Sequence, residues 1–462
     1  MGFFLKKHNI DNIFFIGIGG IGMSGLAELL ISEGCKVKGT DTGESQIIER
    51  LKKMGAVVYN KHEAKNVDSS KVVVYTDAIR PDNPELLRAK ELGLEIYDRA
   101  SFLGEVMKLF PNSVCVSGTH GKTTTTSMIA SITTHTQMDP TILLGGELDE
   151  IGGNIRIGKG NIIISEACEY KANILKYNPT MAMILNIDED HLDFYKNIDD
   201  IIATFKKYAD DVPSTGYVVY NKDDEHVLEA IKDVTAKTIS FGVDSDADYK
   251  AENITYDENG CANFDLIHNN KITEIKLSVL GKHNVYNALA AIAMANTYGA
   301  SLEDIKKYIL LYAGVHRRIE TKGYIGSVRI IDDYAHHPTE IMATLEAVKK
   351  MAKGRIITIF QPHTFTRTQK LLQGFAEAFK RSDVTIITDI YAAREKDTKL
   401  VHSKDLINSM KEHGYDAMYI SKFEDIENYL LDNLRENDII LTVGAGNIYK
   451  LGEDLLKIKD KQ

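Results

Sequence analysis

The chain of 462 residues contains only four cysteines, namely Cys35, Cys115, Cys168 and Cys261. They lie far apart and form no C-x-x-C pair. This spacing excludes a disulfide framework and a cysteine-based zinc knuckle, and it is typical of reduced thiols. We therefore expect a cytoplasmic protein.

The sequence also lacks long apolar runs and an excess of basic residues. No window reaches the ~18 uninterrupted apolar residues of a membrane span. The segment Met1–Asp11 has two lysines but not the apolar core and cleavage site of a secretion signal. The net charge of −11 argues against nucleic-acid or anionic-membrane binding, because both need a basic face. An acidic protein of this kind binds phosphates through local donors and a metal ion.

Length and patterning predict three α/β domains. A chain of 462 residues, with 44% hydrophobic and 26% charged residues, has ordinary globular composition but is too long for one core. Strands and helices alternate in three blocks. The first boundary is at Phe110-Pro111-Asn112 and the third block begins near Gly323, so we expect domains at 1–111, 112–322 and 323–462.

An apolar strand from Val114 runs into the loop GTHGKTT at 118–124. Such a loop surrounds a polyphosphate with backbone N–H groups, its lysine neutralises phosphate charge, and its threonine reaches Mg²⁺. The full Walker pattern would place a glycine where this chain has Val116, so the loop is a shorter G-x-x-G-K-T variant. The alternative is a chance glycine turn before a helix. The strand–loop–helix context predicts an ATP site.

The first block carries a second glycine motif. A strand over Ile13–Ile18 runs into Gly17-x-Gly19-x-x-Gly22, and Asp41 follows the last glycine by nineteen residues. This spacing matches the dinucleotide fingerprint and by itself indicates NAD. The same geometry serves any pyrophosphate on a helix N-terminus, including that of a UDP-sugar. The pattern alone leaves both ligands open.

Two apolar strands of the second block each end in acidic residues. Ile162–Ser165 is followed by Glu166 and Glu169, and Met181–Leu185 is followed by the acidic run at 188–193. Ligands of parallel sheets bind at the carboxyl ends of strands, so we expect these acids to converge on the phosphate loop. Taken alone, the second run could equally be a solvated helix N-terminus.

A phosphate group that faces carboxylates requires a divalent cation between them, because both groups are negatively charged. Mg²⁺ is such a cation and prefers oxygen ligands. Thr123 and Glu166 are the best ligand candidates. His191 is a candidate ligand of a second ion or a positioner of bound water. Because imidazole suits softer ions, we also expect Mn²⁺ to substitute.

The remaining patterns concern the sheets of the second and third blocks. Alternation and turn signals over Tyr217–Leu280 predict an inserted antiparallel subsheet. The third block places a polar segment at 332–338 and another at 361–368 after its strands. His336 and His337 could form a zinc pair, but no cysteine or acidic triad accompanies them at ligand spacing. We interpret His363 and His402 as ordinary polar residues.

Seven motifs together resemble the Mur ligase family. They are FIGIGGIGMSGLA at 14–27, GTHGKTTT at 118–125, NIDEDHLDFY at 186–195, GKHNVYNALAA at 281–291, DDYAHHPTEI at 332–341, FQPHTFTRT at 360–368 and GAGNI at 444–448. The resemblance spans nearly the whole chain in family order. It implies Rossmann-like first and third domains and a central ATP-binding domain with a mostly parallel sheet. It also implies that the first domain binds UDP rather than NAD.

The resemblance assigns roles to individual residues. By this resemblance, the residues expected to bind ATP are Gly118, Thr119, His120, Gly121, Lys122, Thr123, Thr124, Asn284, Asn287, Arg317 and Asp333. The residues expected to bind the UDP-sugar are Gly17, Gly19, Gly20, Gly22 and Asp41. Those expected to bind the amino acid are Tyr334, His336 and Arg367. Lys122, His336 and Arg367 are the catalytic candidates. Some relatives use a carbamylated lysine, for which Lys206 and Lys207 lie in the corresponding region.

The implied reaction joins L-alanine to the lactyl carboxylate of UDP-N-acetylmuramate in peptidoglycan precursor synthesis. The carboxylate attacks the γ-phosphorus of ATP, and the amine of L-alanine then displaces phosphate from the acyl phosphate. A third domain that closes would exclude water from that intermediate. The alternatives are a ligase that attaches a recycled peptide, an NAD-dependent oxidoreductase and a P-loop motor or switch. We expect a monomer or a weak homodimer.

Overall fold

The structure is a computed structural model that describes residues 12–393, 395–397 and 399–459. The segment 1–11, on which the secretion-signal prediction rests, lies outside the described residues. The chain forms two compact units. The first takes in the chain up to Ile187 together with Ile202–Phe241 and Ala290–Ile305. The second takes in Asp188–Ile201, Gly242–Leu289 and the chain from Lys306 onward.

The first domain, within the first unit, is a parallel five-stranded sheet with helices between its strands. Its elements are β1 (Asn12–Ile16), α1 (Ile21–Ser32), β2 (Lys36–Thr40), α2 (Gln46–Lys53), β3 (Val57–Tyr59), β4 (Val72–Tyr75), α3 (Pro84–Glu91), β5 (Glu95–Asp98) and α4 (Arg99–Met107). The strand order is β3-β2-β1-β4-β5. The order reverses between β1 and β4, so the loops that follow these two strands flank the crevice where such sheets bind ligands.

The same unit holds a second, larger set of strands. Its elements are β6 (Asn112–Ser117), α5 (Lys122–Thr133), β7 (Thr141–Leu148), β8 (Gly153–Arg156), β9 (Ile162–Glu166), β10 (Met181–Ile184), α6 (Ile198–Asp210), β11 (Tyr217–Asn221), α7 (Glu225–Ala230) and β12 (Lys237–Gly242), with α6 shared between the units. The strands lie in the order β12-β11-β10-β6-β9-β7-β8. Val114, Cys115 and Val116 of the central strand β6 are fully buried, as a strand covered on both faces requires.

Part of the predicted antiparallel subsheet is wrong. Strands β11 and β12 pair parallel to their neighbours, because the connection between them contains helix α7 and is long enough for a crossover. The antiparallel ladder comprises β13 (Tyr249–Tyr256), β14 (Cys261–His268) and β15 (Lys271–Leu280), which lie in the second unit.

The third sheet, in the second unit, has the order β16-β17-β21-β18-β19-β20. After α8 (Lys282–Thr297) and α9 (Leu302–Ile309) come β16 (Glu320–Ile325), β17 (Val328–Asp333), α10 (Pro338–Met351), β18 (Ile356–Phe360), α11 (Phe365–Lys370), α12 (Leu372–Ala378), β19 (Val384–Ile387), α13 (Ser403–Glu412), β20 (Met418–Tyr419), α14 (Phe423–Asn433), β21 (Ile439–Val443) and α15 (Tyr449–Lys459). Strand β16 pairs antiparallel to β17, and the other neighbours are parallel. The predicted division between residues 322 and 323 falls inside β16.

Three mostly parallel sheets with intervening helices confirm the predicted α/β class. Among the described residues, no helix has both the length and the apolarity that crossing a bilayer would demand. The four cysteines are free thiols. His402 caps α13 by accepting the Lys404 N–H, which gives that histidine a structural role.

Candidate functional site

The loop between β6 and α5 has a backbone that only glycine adopts easily at two positions. Gly118 has a φ of +135° and Gly121 a φ of +85°. A β-carbon at Gly118 would lie 3.0 Å from Cβ of Leu185 and 3.1 Å from the backbone N of Asn186. Positive φ and close approach therefore explain both glycines of the motif.

Asn186, which the sequence analysis did not single out, holds this loop in place. Its side-chain Oδ1 accepts the His120 N–H at 2.8 Å, and its Nδ2 donates to the His120 carbonyl at 3.0 Å. The backbone N–H of Thr119 donates to the Asn186 carbonyl at 3.1 Å. Its position just after the buried strand β10 was the available signal, since carboxyl ends of parallel strands meet at one edge.

The ammonium of Lys122 lies among oxygen atoms at the start of α5. It donates to the Gly118 and Thr119 carbonyls, the latter at 3.0 Å, and lies 3.1 Å from Oε2 of Glu169. The side chains of Lys122 and Glu169 are 17% and 3% exposed. Burial by itself would lower the pKa of Lys122, but the combined influence of Glu169, Cys168 and Glu166 raises it. Lys122 is therefore a fixed cation beside the loop.

Thr123 and Glu166 lie together, as the sequence predicted. The Thr123 hydroxyl donates to Oε2 of Glu166 at 2.9 Å, and the Gly145 N–H donates to Oε1. A hydroxyl and a carboxylate at a helix N-terminus form an oxygen donor set of the kind that Mg²⁺ prefers. Cys168, two residues on, has its pKa raised to about 11 by burial and by Glu169, so its thiol stays protonated.

The glycine motif of the first domain is also explained by its surroundings. Gly17 has a φ of +85°. A β-carbon at Gly19 would lie 2.8 Å from Oδ2 of Asp41, and one at Gly22 would lie 3.0 Å from Cδ of Arg99. Gly20 is the N-cap residue of α1 and offers no side-chain cap. The helix N-terminus is thus left open to an anion.

Asp41 closes this loop on itself. Its Oδ2 accepts the Gly19 N–H at 2.9 Å, and its Oδ1 accepts the Gly43 N–H at 3.0 Å. The carboxylate therefore orders the turn in addition to any role towards a ribose.

A polar link ties α1 to the strand β8 within the first unit. Asn154 donates to the Ile21 carbonyl at 2.7 Å, and Nη2 of Arg50 donates to Oδ1 of Asn154 at 2.7 Å. Arg50 also pairs with the buried Glu28 at 2.6 Å. These contacts fix the first turn of α1.

In the second unit, residues after β17 and β18 form one cluster. His336 lies edge-on to Tyr334, with ring centroids 5.4 Å apart, and to His363 at 5.7 Å. Burial lowers the pKa of His336 to about 4, with Glu340 opposing and Arg367 reinforcing the shift. His336 is therefore neutral at pH 7. His363, interpreted from sequence as an ordinary polar residue, belongs to this cluster.

Arg367 is engaged by a carboxylate of its own unit. Its Nε and Nη2 donate to Oδ1 of Asp190 at 3.1 and 3.0 Å, and its Nη1 lies 3.2 Å from Nδ1 of His363. Burial alone would raise the pKa of Asp190, but the Arg367 charge and nearby histidines hold it far below its usual value. One edge of the guanidinium is thus paired, and Nη1 faces His363.

His337 and His191 have separate surroundings. His337 caps α10 by accepting the Thr339 N–H at 3.3 Å, and its Nε2 donates to the Glu189 carbonyl at 2.8 Å. His191 has a φ of +53°, and its N–H donates to Oδ1 of Asp190 at 2.6 Å. His191 belongs to the second unit, whereas Thr123 and Glu166 belong to the first.

Arg317 and Asp333, assigned by resemblance to ATP, hold a chain segment to the third sheet. Arg317 donates to Oδ2 of Asp332 at 3.1 Å and to the Gly444 carbonyl at 2.6 Å, and it stacks on Tyr334. Asp333 accepts the Ile319 N–H at 2.7 Å, and burial raises its pKa to about 6.

The other residues assigned by resemblance make local contacts. Asn284 donates to the Leu280 carbonyl at 2.7 Å, and Asn287 donates to Oδ1 of Asn284 at 2.9 Å. Both side chains are buried. Lys206 pairs with Asp233 at 2.8 Å on the surface.

Comparison with known proteins agrees with this architecture. Three family profiles match: "Mur ligase family, catalytic domain" over residues 12–111, "Mur ligase middle domain" over 116–295 and "Mur ligase, glutamate ligase domain" over 317–446. A UDP-N-acetylmuramate–L-alanine ligase of Caldanaerobacter subterraneus subsp. tengcongensis is 51% identical over 458 residues, covering 99% of this chain and 100% of that protein.

Two further relatives extend the likeness. A UDP-N-acetylmuramate–L-alanine ligase of Acetivibrio thermocellus is 50% identical over 460 residues, covering 99% of this chain and 98% of that protein. The crystal structure of the UDP-N-acetylmuramate–alanine ligase MurC of Thermotoga maritima matches with a TM-score of 0.81 at 30% identity, covering 97% of this chain and 99% of that one. With the two glycine motifs and the three sheets, these similarities show that the chain belongs to the Mur ligase family.

Proposed function

We propose that this chain joins L-alanine to the lactyl carboxylate of UDP-N-acetylmuramate at the expense of ATP. The observation that carries the proposal is the similarity to a relative named UDP-N-acetylmuramate–L-alanine ligase. This chain is 51% identical to it over 99% of its length. The arrangement of Lys122, Thr123 and Glu166 around the loop supports an ATP-dependent step. An oxidoreductase would leave that loop without a purpose.

Lys122 and the backbone N–H groups at the start of α5 bind the ATP phosphates, since the Thr119 and His120 N–H groups donate to Asn186. Phosphoryl transfer needs positioning and charge neutralisation more than covalent help from the protein. The Lys122 ammonium would exchange its contacts with the Gly118 and Thr119 carbonyls for phosphate oxygens. Glu169 keeps that cation in place at 3.1 Å.

Mg²⁺ is the metal that the donor set fits best, because Thr123 and Glu166 offer a hydroxyl and a carboxylate. When bound, the ion would neutralise charge on the phosphates. Glu166 is already oriented by the Gly145 N–H, which fixes the carboxylate at the end of β9.

Tyr334, His336 and Arg367 of the second unit bind L-alanine. Asp190 occupies Nε and Nη2 of Arg367, so the α-carboxylate would bind through Nη1, on the side of the guanidinium that faces His363. His336, neutral because its pKa lies near 4, can accept the proton of the amine that attacks the acyl phosphate. Nδ1 of His336 lies 3.0 Å from the Tyr334 carbonyl, which orients the ring.

The test is ATP hydrolysis to ADP and phosphate, measured with each substrate omitted in turn. We expect turnover only with UDP-N-acetylmuramate and L-alanine both present, and no absorbance change with NADH. L-alanine should also outcompete the tripeptide of recycled peptidoglycan. Preference for the tripeptide would overturn the assignment in favour of a recycling ligase.

A further inference from the structure

Arg99 is the first residue of α4 and follows β5 directly, at the carboxyl edge of the first sheet. Asp98, its neighbour, caps α4 by accepting the Ser101 N–H at 3.0 Å and pairs with Lys176 at 3.1 Å. The carboxylate of Asp98 therefore pairs with Ser101 and Lys176 and not with Arg99.

The Arg99 side chain lies over the first turn of α1. A β-carbon at Gly22 would lie 3.0 Å from its Cδ, 3.4 Å from its Nη1 and 3.5 Å from its Nε. The arginine stem and guanidinium therefore lie close to the space that a side chain at position 22 would need. The last glycine of the motif and this cation form one feature.

Arg99 has few partners for a partly buried guanidinium. Among the described residues, Arg99 makes one hydrogen bond, which its Nη2 donates to Oη of Tyr177 at 3.5 Å. Arg99 makes no ion pair with any of the described residues. By contrast, Arg50 and Arg88 of the same domain lie 2.6 and 2.8 Å from a carboxylate. Withdrawing a cation from water without an anionic partner is costly.

We propose that Arg99 binds the pyrophosphate of the sugar nucleotide, together with the uncapped N-terminus of α1. This inference rests on the proposed function. It extends that function to a residue outside the glycine motif. The fingerprint places a pyrophosphate at the N-terminus of the helix that follows β1, and Arg99 lies over that turn. The guanidinium fork matches two phosphate oxygens, which a lysine cannot do in the same way.

The experiment is calorimetric titration of UDP, UDP-N-acetylglucosamine and UDP-N-acetylmuramate into the wild type, Arg99→Gln and Arg99→Lys. All three ligands contain the pyrophosphate, but only the last contains the lactyl carboxylate. We expect Arg99→Gln to weaken all three by a similar factor of about tenfold or more, since a charge-assisted hydrogen bond is lost. Arg99→Lys should weaken binding of the three UDP ligands less than Arg99→Gln does. The dissociation constant for ATP should not change in either variant.

Arg88→Gln is the matched control, because Arg88 is a solvent-facing arginine of the same domain that pairs with Asp68. It should bind all three ligands as the wild type does. Tyr177→Phe removes the hydrogen bond of Arg99 and tests a purely structural role. Thermal unfolding of each variant reports folding, and Arg99→Lys keeps the charge if Arg99→Gln proves unstable.

Unchanged UDP binding by Arg99→Gln would overturn the inference. A loss confined to UDP-N-acetylmuramate would assign Arg99 to the lactyl carboxylate and overturn it too. An equal loss in Tyr177→Phe would show a structural role. A wild type that binds no UDP ligand would overturn the proposed function itself, whereas binding by the wild type with no effect at Arg99 would overturn this inference alone.

Discussion

Thr123, in the first turn of α5, donates its hydroxyl hydrogen to Oε2 of Glu166, the last residue of β9, at 2.9 Å. A residue at the start of a helix and a residue at the end of a strand, 43 positions apart, thus form one oxygen pair. We propose this pair as ligands of a magnesium ion.

Neutralising Glu166 should therefore change the metal requirement. We expect Glu166→Gln to raise the Mg²⁺ concentration for half-maximal activity about tenfold, because an anionic ligand becomes neutral. Activity measured over a Mg²⁺ series checks this. Glu147→Gln, an exposed glutamate of the neighbouring strand β7, is the control. An unchanged Mg²⁺ series for Glu166→Gln would remove Glu166 from the metal site.

Removing the Lys122 ammonium should abolish acyl-phosphate formation. Lys122→Ala loses the cation that neutralises phosphate charge, and it removes the positive charge 3.1 Å from the buried Glu169. We expect kcat to fall by more than about a hundredfold, because removing one group that stabilises charge in a transition state usually costs that much. Binding of UDP-N-acetylmuramate, measured by titration, should stay within the wild-type range. Turnover near the wild-type level would contradict the ATP-site assignment.

A larger residue at Gly22 should weaken the sugar nucleotide and spare ATP. Gly22→Val places side-chain carbons where Cδ and Nη1 of Arg99 now lie, at 3.0 and 3.4 Å from a β-carbon. Titration with UDP-N-acetylmuramate, ATP and NAD(H) is the measurement. We expect a loss for the first, no change for the second and no binding of the third. A loss restricted to ATP would be the contrary result.

Replacing the fork of Arg367 should affect L-alanine selectively. Arg367→Lys keeps the charge, but a lysine cannot pair with Asp190 through two donors and also present a third donor to the α-carboxylate. We therefore expect KM for L-alanine to rise above tenfold, which is more than ~1.4 kcal/mol. The constants for ATP and UDP-N-acetylmuramate should change little. Arg381→Lys, an exposed arginine 53% accessible at its side chain, is the control. Equal weakening of all three substrates would instead indicate a general conformational role.

The burial of His336 should make the protein less stable in acid. Its pKa falls from 6.5 to about 4 on folding, so the unfolded chain binds a proton first as the pH drops. The stability due to neutral His336 is present above pH 6.5 and is lost as the pH falls towards 4, by roughly 3 kcal/mol at most. Urea unfolding of wild type and His336→Gln at pH 7.5 and 5 checks this. The variant should lose less stability between those two pH values, and an identical loss would contradict it.

The sequence by itself determined the two glycine-rich loops, at 17–22 and 118–121. Glycines at 17, 118 and 121 encode turns with a positive φ that other residues adopt poorly, so local chemistry is sufficient to predict those turns. Glycines at 19 and 22 instead lie where a β-carbon would come close to the side chains of Asp41 and Arg99. Apolar runs that end in acids likewise predicted that Glu166 would meet Thr123, because parallel strands end at one edge.

Only the tertiary structure decided which side chains meet across the chain. Asn186 on the ATP loop, Arg99 over Gly22 and Asp190 against Arg367 are pairings of residues far apart in sequence. No local pattern specifies them, because they depend on strand order and helix packing. The parallel pairing of β11 with β12 was misjudged for the same reason. Alternation along a strand reports burial of its faces, but the direction of its neighbour is set by the connection between them.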